Sequence, residues 1–141
     1  MSRILIVKSK SGYIFLKCGE LMWVHADKNH LDLHCIDRAH RVRQTLADFN
    51  ARLDPEKFVR IHRSVIVNTA YIRELRSCGL GDYVVVMKNS RELPVSHTFR
   101  SELDRWMSRM QFALSDEAEL HDEILQGPAL SIVRDPNELS A

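Results

Sequence analysis

What this 141-residue chain lacks narrows it first. It has three cysteines, Cys18, Cys35 and Cys78, an odd number with no Cys-x-x-Cys pair. Neither a disulfide framework nor a thiolate zinc site follows from that set, and reduced thiols in a cytoplasmic protein are expected. The five glycines, Gly12, Gly19, Gly79, Gly81 and Gly127, are scattered over turn-like stretches. None builds a glycine-rich loop that cradles a phosphate. No apolar run approaches the roughly 20 residues of a membrane helix. Met1-Ser2-Arg3 is followed by a short apolar run, residues 4–7, before Lys8, so no signal peptide is expected. His62 and Ser64 stand two apart with no identifiable third group, so no catalytic set is assembled and no enzyme is expected. His25, His30 and His34 lie close to Cys35 but without zinc spacing. No metal and no cofactor are expected.

Charge is scarce only in sum. The net charge is +1, yet residues 1–112 carry 19 Lys and Arg against 12 Asp and Glu, while residues 113–141 carry Arg134 alone against seven acids. A basic body with an acidic tail suits a nucleic-acid binder whose tail cannot lie on the polyanion. The length fits one domain plus a tail.

The hydrophobic pattern is mainly that of short strands. Residues 4–7, 13–17, 20–26 and 31–35 are apolar or alternating runs separated by turn formers such as Ser9-Lys10-Ser11-Gly12 and Asp27-Lys28-Asn29-His30. Leu31, Leu33 and Cys35 alternate with Asp32 and His34, the period of a half-buried strand, and residues 36–42 are expected to complete a hairpin. One short helix over about 45–53 interrupts the strands: Thr45 precedes Asp48 as a cap, and Leu46, Phe49 and Leu53 share a face. Further strands are expected at 71–76, 83–87 and 92–95, with Pro94 at a sheet edge. The period then changes. Phe99, Leu103, Trp106, Met107 and Met110 predict a helix over about 97–112, and Ser115-Asp116-Glu117 could cap a second one to about Leu125. Gly127-Pro128 stops it, and the remainder is expected to be mobile.

The most informative stretch is Arg60-Ile61-His62-Arg63-Ser64-Val65-Ile66-Val67-Asn68. A polar cluster, expected as a loop, runs into a stiff β-branched strand. Such a mount holds guanidinium donors where base edges and phosphates can meet them. Arg63 is the candidate for reading guanine. Ser64, Arg60, Arg43 and Lys57 are candidates for phosphate contacts, which position without specifying. His62 either contributes to binding or braces the loop through its ring, and Asn68 is expected to cap the turn that follows.

Residues 58–68, Phe58-Val59-Arg60-Ile61-His62-Arg63-Ser64-Val65-Ile66-Val67-Asn68, closely follow the F-x-R-x-H-[RN]-S-x-[IV]-V-N signature of LytTR-type DNA-binding domains. Leu93-Pro94-Val95-Ser96 matches that family's closing L-P-V-S, and the short helix upstream is similarly placed. The chain resembles this family, the output module of many bacterial response regulators, over about residues 4–107. The resemblance implies a mainly β fold of small antiparallel sheets, elongated, with little helix. It implies double-stranded DNA read by loops in successive major grooves, usually by pairs of domains on direct repeats, and hence a homodimer on DNA that regulates transcription. Three positions carry over as base readers: His30, Arg63 and His97, expected along one side of the scaffold. His97 departs from the Arg usual there, and a single imidazole cannot make the bidentate contact of a guanidinium to guanine. The expected organisation is a DNA-binding domain over 1–107 and a helical acidic extension over 108–141, with the helix over about 97–112 and the acidic segment after it expected to mediate dimer contacts or bind a regulatory protein. The other reading is a protein-interaction module that does not bind DNA. Nothing resembles a phospho-acceptor receiver domain, so the chain is either a standalone regulator or the carboxy-terminal piece of a longer protein.

Overall fold

Short runs of β-branched and aromatic residues, each broken within a few residues by Gly, Asn, Asp or Ser, favour strands joined by tight turns. The computed structural model describes residues 3–118, with side chains to residue 111. They form three antiparallel sheets and two α-helices. Contacts divide the chain between Tyr71 and Ile72 into two units. Among the described residues no helix is long and apolar enough to cross a membrane.

In the first unit, β1 (Ile4–Ser9) and β2 (Gly12–Lys17) make a two-stranded hairpin. A five-stranded sheet follows, built from β3 (Leu21–Asp27), β4 (His30–Cys35), β5 (Ala39–Arg43), β6 (Phe58–His62) and β7 (Val65–Asn68). Its order is β5-β4-β3-β7-β6, so β3 is central. The alternation in each strand decides what is buried. Leu5, Val7 and Leu16 of the hairpin join Val24, Leu31, Leu33, Val42 and Ile66 of the sheet in one core, which also takes Leu46, Phe49 and Leu53. The other face of the hairpin leaves Ile4, Ile6, Tyr13 and Phe15 exposed.

Leu46 and Phe49 belong to α1 (Leu46–Asn50), one turn shorter than its apolar pattern. The Thr45 hydroxyl accepts the Asp48 N–H at 3.1 Å and opens the helix. Leu53 is buried from the turn beyond it. Asn68 is the one buried polar side chain among the described residues. Its amide donates to the Leu21 carbonyl at 2.9 Å, and its Oδ1 accepts the Ala70 N–H at 3.0 Å. It therefore closes the turn after β7 and also anchors the start of β3.

In the second unit, β8 (Ile72–Gly79), β9 (Asp82–Met87) and β10 (Glu92–Val95) form a sheet in the order β10-β9-β8. Pro94 lies on the edge strand, where a missing N–H does least harm. Helix α2 spans Arg100–Ala118. It begins later than its pattern implied, because residues 97–99 form a turn in which Ser96 Oγ accepts the Phe99 N–H at 3.3 Å. The helix also runs through Ser115 rather than restarting there. No Gly or Pro interrupts residues 100–118, and a serine alone does not end a helix. The rest of the expected second helix and the tail lie outside the described residues. Tyr71, expected in a strand, sits in the 3-10 turn Thr69–Tyr71 and donates its hydroxyl to the Gly19 carbonyl.

The β8–β9 connection is a two-residue turn with positive φ at both positions, Leu80 at 54° and Gly81 at 81°. This is the type I′ pattern that suits the twist of a hairpin and favours Asn-Gly. Leucine there is strained by its Cβ, and it is 99% exposed. Leu80→Asn should therefore raise stability by about 1 kcal/mol, seen as a higher urea midpoint at unchanged slope; a lower midpoint would contradict the turn assignment. Asn68→Ala leaves the buried Leu21 carbonyl without its partner and should cost about 1–3 kcal/mol in the same measurement.

Candidate nucleic-acid interface

The polar cluster of residues 60–64 is not a loop. Arg60 and His62 lie within β6, and only Arg63 and Ser64 make the turn into β7. A ladder irregularity between Arg60 and His62 accompanies that turn. The strand continues because Val59 and Ile61 alternate with these polar residues and are buried.

Nearly every polar group of this turn is taken up by the turn itself. The Arg60 guanidinium donates to the Arg63 carbonyl at 2.6 Å and to the His62 carbonyl at 3.4 Å. The Ser64 N–H donates to His62 Nδ1 at 3.1 Å, and Ser64 Oγ lies 3.0 Å from the same nitrogen. The Ser64 carbonyl accepts the Ala26 N–H at 2.8 Å, tying the turn to β3. An Nδ1 that accepts a backbone N–H belongs to a neutral ring with its proton on Nε2. Burial pushes the His62 pKa below its ordinary value, and the Arg63, His25 and Arg60 charges push the same way. The Arg63 side chain is exposed, and among the described residues it makes no hydrogen bond or ion pair. A braced backbone thus carries an uncommitted guanidinium.

His30 is the first residue of β4 rather than part of the turn, which reduces to Lys28 and Asn29, with Lys28 at a φ of 59°. It pairs with Asp27 on one side and Arg43, the last residue of β5, on the other. The register of β3 decides the rest. His25 pairs with Val65 and Asp27 with His30, so the Arg63–Ser64 turn, His30 and Arg43 share one end of the five-stranded sheet. Lys57 does not reach that end. It precedes β6, whose five residues span roughly 16 Å, and it sits near Asp54, whose carbonyl accepts its N–H at 2.9 Å.

The charge at the shared end is mainly positive. Asp27 and Asp32 both bind Arg41, at 2.9 and 3.0 Å, so this cation offsets one of the two acid charges and hydrogen-bonds both carboxylates. The hydrogen bond from Arg41 holds the Asp27 carboxyl below its usual range. Arg41 thereby links β5 to β3 across β4 and steadies the hairpin before Lys28. Lys28 and Arg43, like Arg63, are exposed and make no ion pair among the described residues. Lys8 and Lys10 of the β1–β2 hairpin line a cavity together with His30 and Arg43. Neither lysine nor Lys28 stands out in the sequence, since each is a single charge in or beside a turn. Lys28 is two residues before His30, in the turn that leads to it, whereas packing of the β1–β2 hairpin on the core of the five-stranded sheet brings Lys8 and Lys10 beside it.

His97 belongs to the second unit. It is 78% exposed in the turn before α2, with Nε2 2.9 Å from Asp82 Oδ1. Its neighbour Arg100 lies over the Tyr83 ring at 4.0 Å. Of the histidines considered for a metal, His34 stacks on Trp23 with ring centroids 4.4 Å apart. Among the described residues no three side chains are grouped to hold a metal ion.

A family model for the LytTr DNA-binding domain matches residues 11–108. The chain belongs to that family. The LytTr match takes in the braced turn, His30, Arg43 and His97, and leaves out β1 with Lys8 and Lys10. A sensory transduction protein, LytT of Bacillus subtilis (strain 168), is 30% identical over 92 residues, covering 65% of this chain and 38% of its own length. A transcriptional regulatory protein, LytR of Staphylococcus aureus (strain N315), is 30% identical over 87 residues, covering 62% of this chain and 35% of its own. The chain thus spans little more than a third of these curated relatives. A solved LytTr DNA-binding domain of a methyl-accepting/DNA response regulator from Bacillus cereus shares the fold, with a TM-score of 0.66 and 22% identity over 74% of this chain and 95% of that one.

The lowered His62 pKa has a consequence for stability. The unfolded chain takes up a proton at about pH 6.5, before the folded ring does. Stability held by the neutral ring is therefore complete above about pH 6.5 and lost as pH falls through the lower folded value. His62→Asn keeps an acceptor near the Nδ1 position but cannot titrate. Its urea midpoint should fall less between pH 7 and 5 than that of the parent chain; equal slopes would remove His62 from this role.

Proposed function

We propose that this LytTr domain binds double-stranded DNA sequence-specifically, with turns entering the major groove, and acts as the output module of a transcription regulator. The observation that carries this is the braced turn with an unpaired Arg63 at the basic end of its sheet. A guanidinium that makes no competing ion pair is available for guanine O6 and N7, and a fixed backbone lowers the ordering cost of the contact. A two-stranded ribbon fits a major groove about 12 Å wide. His30 reads a neighbouring base from the same end of the sheet, and His97 reads a third from the second unit.

Arg43 and Lys28 contact phosphates beside them. Arg60 and Ser64 act mainly by positioning Arg63, and a phosphate contact from either is secondary. Lys57, at the other end of the sheet, adds only to the general field. Two copies on a direct repeat follow from the resemblance, and a stoichiometry of two chains per duplex tests that arrangement.

The second reading, a protein-interaction module, draws on the exposed face formed by Ile4, Ile6, Tyr13 and Phe15 and on Met110 of α2. Salt separates the two. Affinity for duplex falls linearly with log salt if phosphates are neutralised, and a pure interaction module binds no duplex. For base reading the test is Arg63→Ala, with DNA recovered by selection from random duplexes. The variant should keep its circular dichroism and lose about 1–3 kcal/mol of preference for the selected duplex over a scrambled one. Full retention of that preference would refute the assigned role.

A further inference from the structure

We propose that the groove between the β1–β2 turn and the β4–β5 strands is a phosphodiester site, which holds the DNA backbone beside the base step that His30 meets. This rests on the DNA-binding role proposed above and adds residues that the signature does not contain.

The groove is open, about 700 Å³ in volume, and its lining includes Lys8, Ser9, Lys10, His30, Arg41 and Arg43. No acid lines it. Arg41 is already neutralised by Asp27 and Asp32. Lys8, Lys10 and Arg43 make no ion pair among the described residues and keep their charge for a ligand. The two lysines are held in place by a closed turn: Ser9 pairs with Gly12 in the ladder, and its hydroxyl donates to the Gly12 carbonyl at 3.2 Å. Arg43 is fixed by its ladder pairing with His30.

Two features select the ligand. The three cations come from two separate hairpins, as a chain of spaced charges requires, whereas a single small anion is best served by one convergent set. The groove also shares His30 with the base-reading end. A duplex that brings a base to His30 therefore brings its own backbone to Lys8 and Lys10. Contacts of this kind carry no sequence information but set the register in which the readers meet their bases.

The test compares the full chain with its Lys8→Gln/Lys10→Gln variant, by fluorescence anisotropy over a salt series, on a selected and a scrambled duplex. Both lysines are exposed, so the fold should be unaffected. The variant should bind both duplexes more weakly by the same factor, with the ratio between them unchanged. The slope of log affinity against log salt should become shallower by about 2, one for each lysine. Unchanged affinity and slope in the variant, while Arg63→Ala still loses discrimination, would overturn the groove site and leave the DNA-binding role standing. Absence of duplex binding by the parent chain would overturn both. Titration with inorganic phosphate alone, followed by amide shifts of residues 8–10 and 43, separates the sources of the anion. Tight saturation that duplex does not compete with would assign the groove to a small anion and overturn the proposal.

Discussion

The register of β3 against both of its neighbours is the constraint on which the rest depends. With β4 on one side and β7 on the other, β3 brings two turns far apart in sequence to one end of the sheet. A slip by one residue would turn Val24 outward and carry His25 into the core. Burial of Val24, Leu31, Leu33 and Ile66 in one cluster opposes that slip. Asn68 adds a second restraint by hydrogen bonding to the Leu21 carbonyl at the start of the strand. The apolar core thus also sets where the polar end lies.

Electrostatics at that end follow from which charges are already engaged. Asp27 and Asp32 are satisfied by Arg41, so they do not oppose a polyanion as strongly as free carboxylates would. Arg60 is directed inward to the carbonyls of its own turn, which leaves Arg63 as the outward guanidinium. Two arginines in one signature therefore have different parts, one holding the backbone and one presenting a side chain. The neutral state of His62 belongs to the same device. A protonated ring could not accept the Ser64 N–H, and it would add a third positive charge beside Arg60 and Arg63.

Much of the fold was legible because its signals are local. Thr45 before Asp48, the alternation of Leu31, Leu33 and Cys35, and Pro94 on an edge strand each depend on a few adjacent residues. The ordered stretch from Phe58 to Asn68 was enough to indicate the family. Misreadings came where a local signal was overridden. Arg60 and His62 resembled a loop because they are polar, yet β6 continues through them on the alternation of Val59 and Ile61. Tyr71 has strand propensity, but its hydroxyl reaches the Gly19 carbonyl from a 3-10 turn. Ser115 resembled a cap, but a helix already in progress has no need of one.

The amino-acid order by itself determined where most of the strands fall, which stretch carries the signature, and that the body is basic, because propensity, alternation and charge are properties of neighbours along the chain. Only the tertiary structure decided that Lys8, Lys10 and Arg43 share an end with His30 and Arg63, and that Lys57 does not. Strand pairing sets Arg43 and the Arg63 turn at the end that holds His30, and packing of the β1–β2 hairpin on the sheet core sets Lys8 and Lys10. A side chain's availability likewise depends on whether another side chain has already met its charge, as Arg41 does for Asp27 and Asp32.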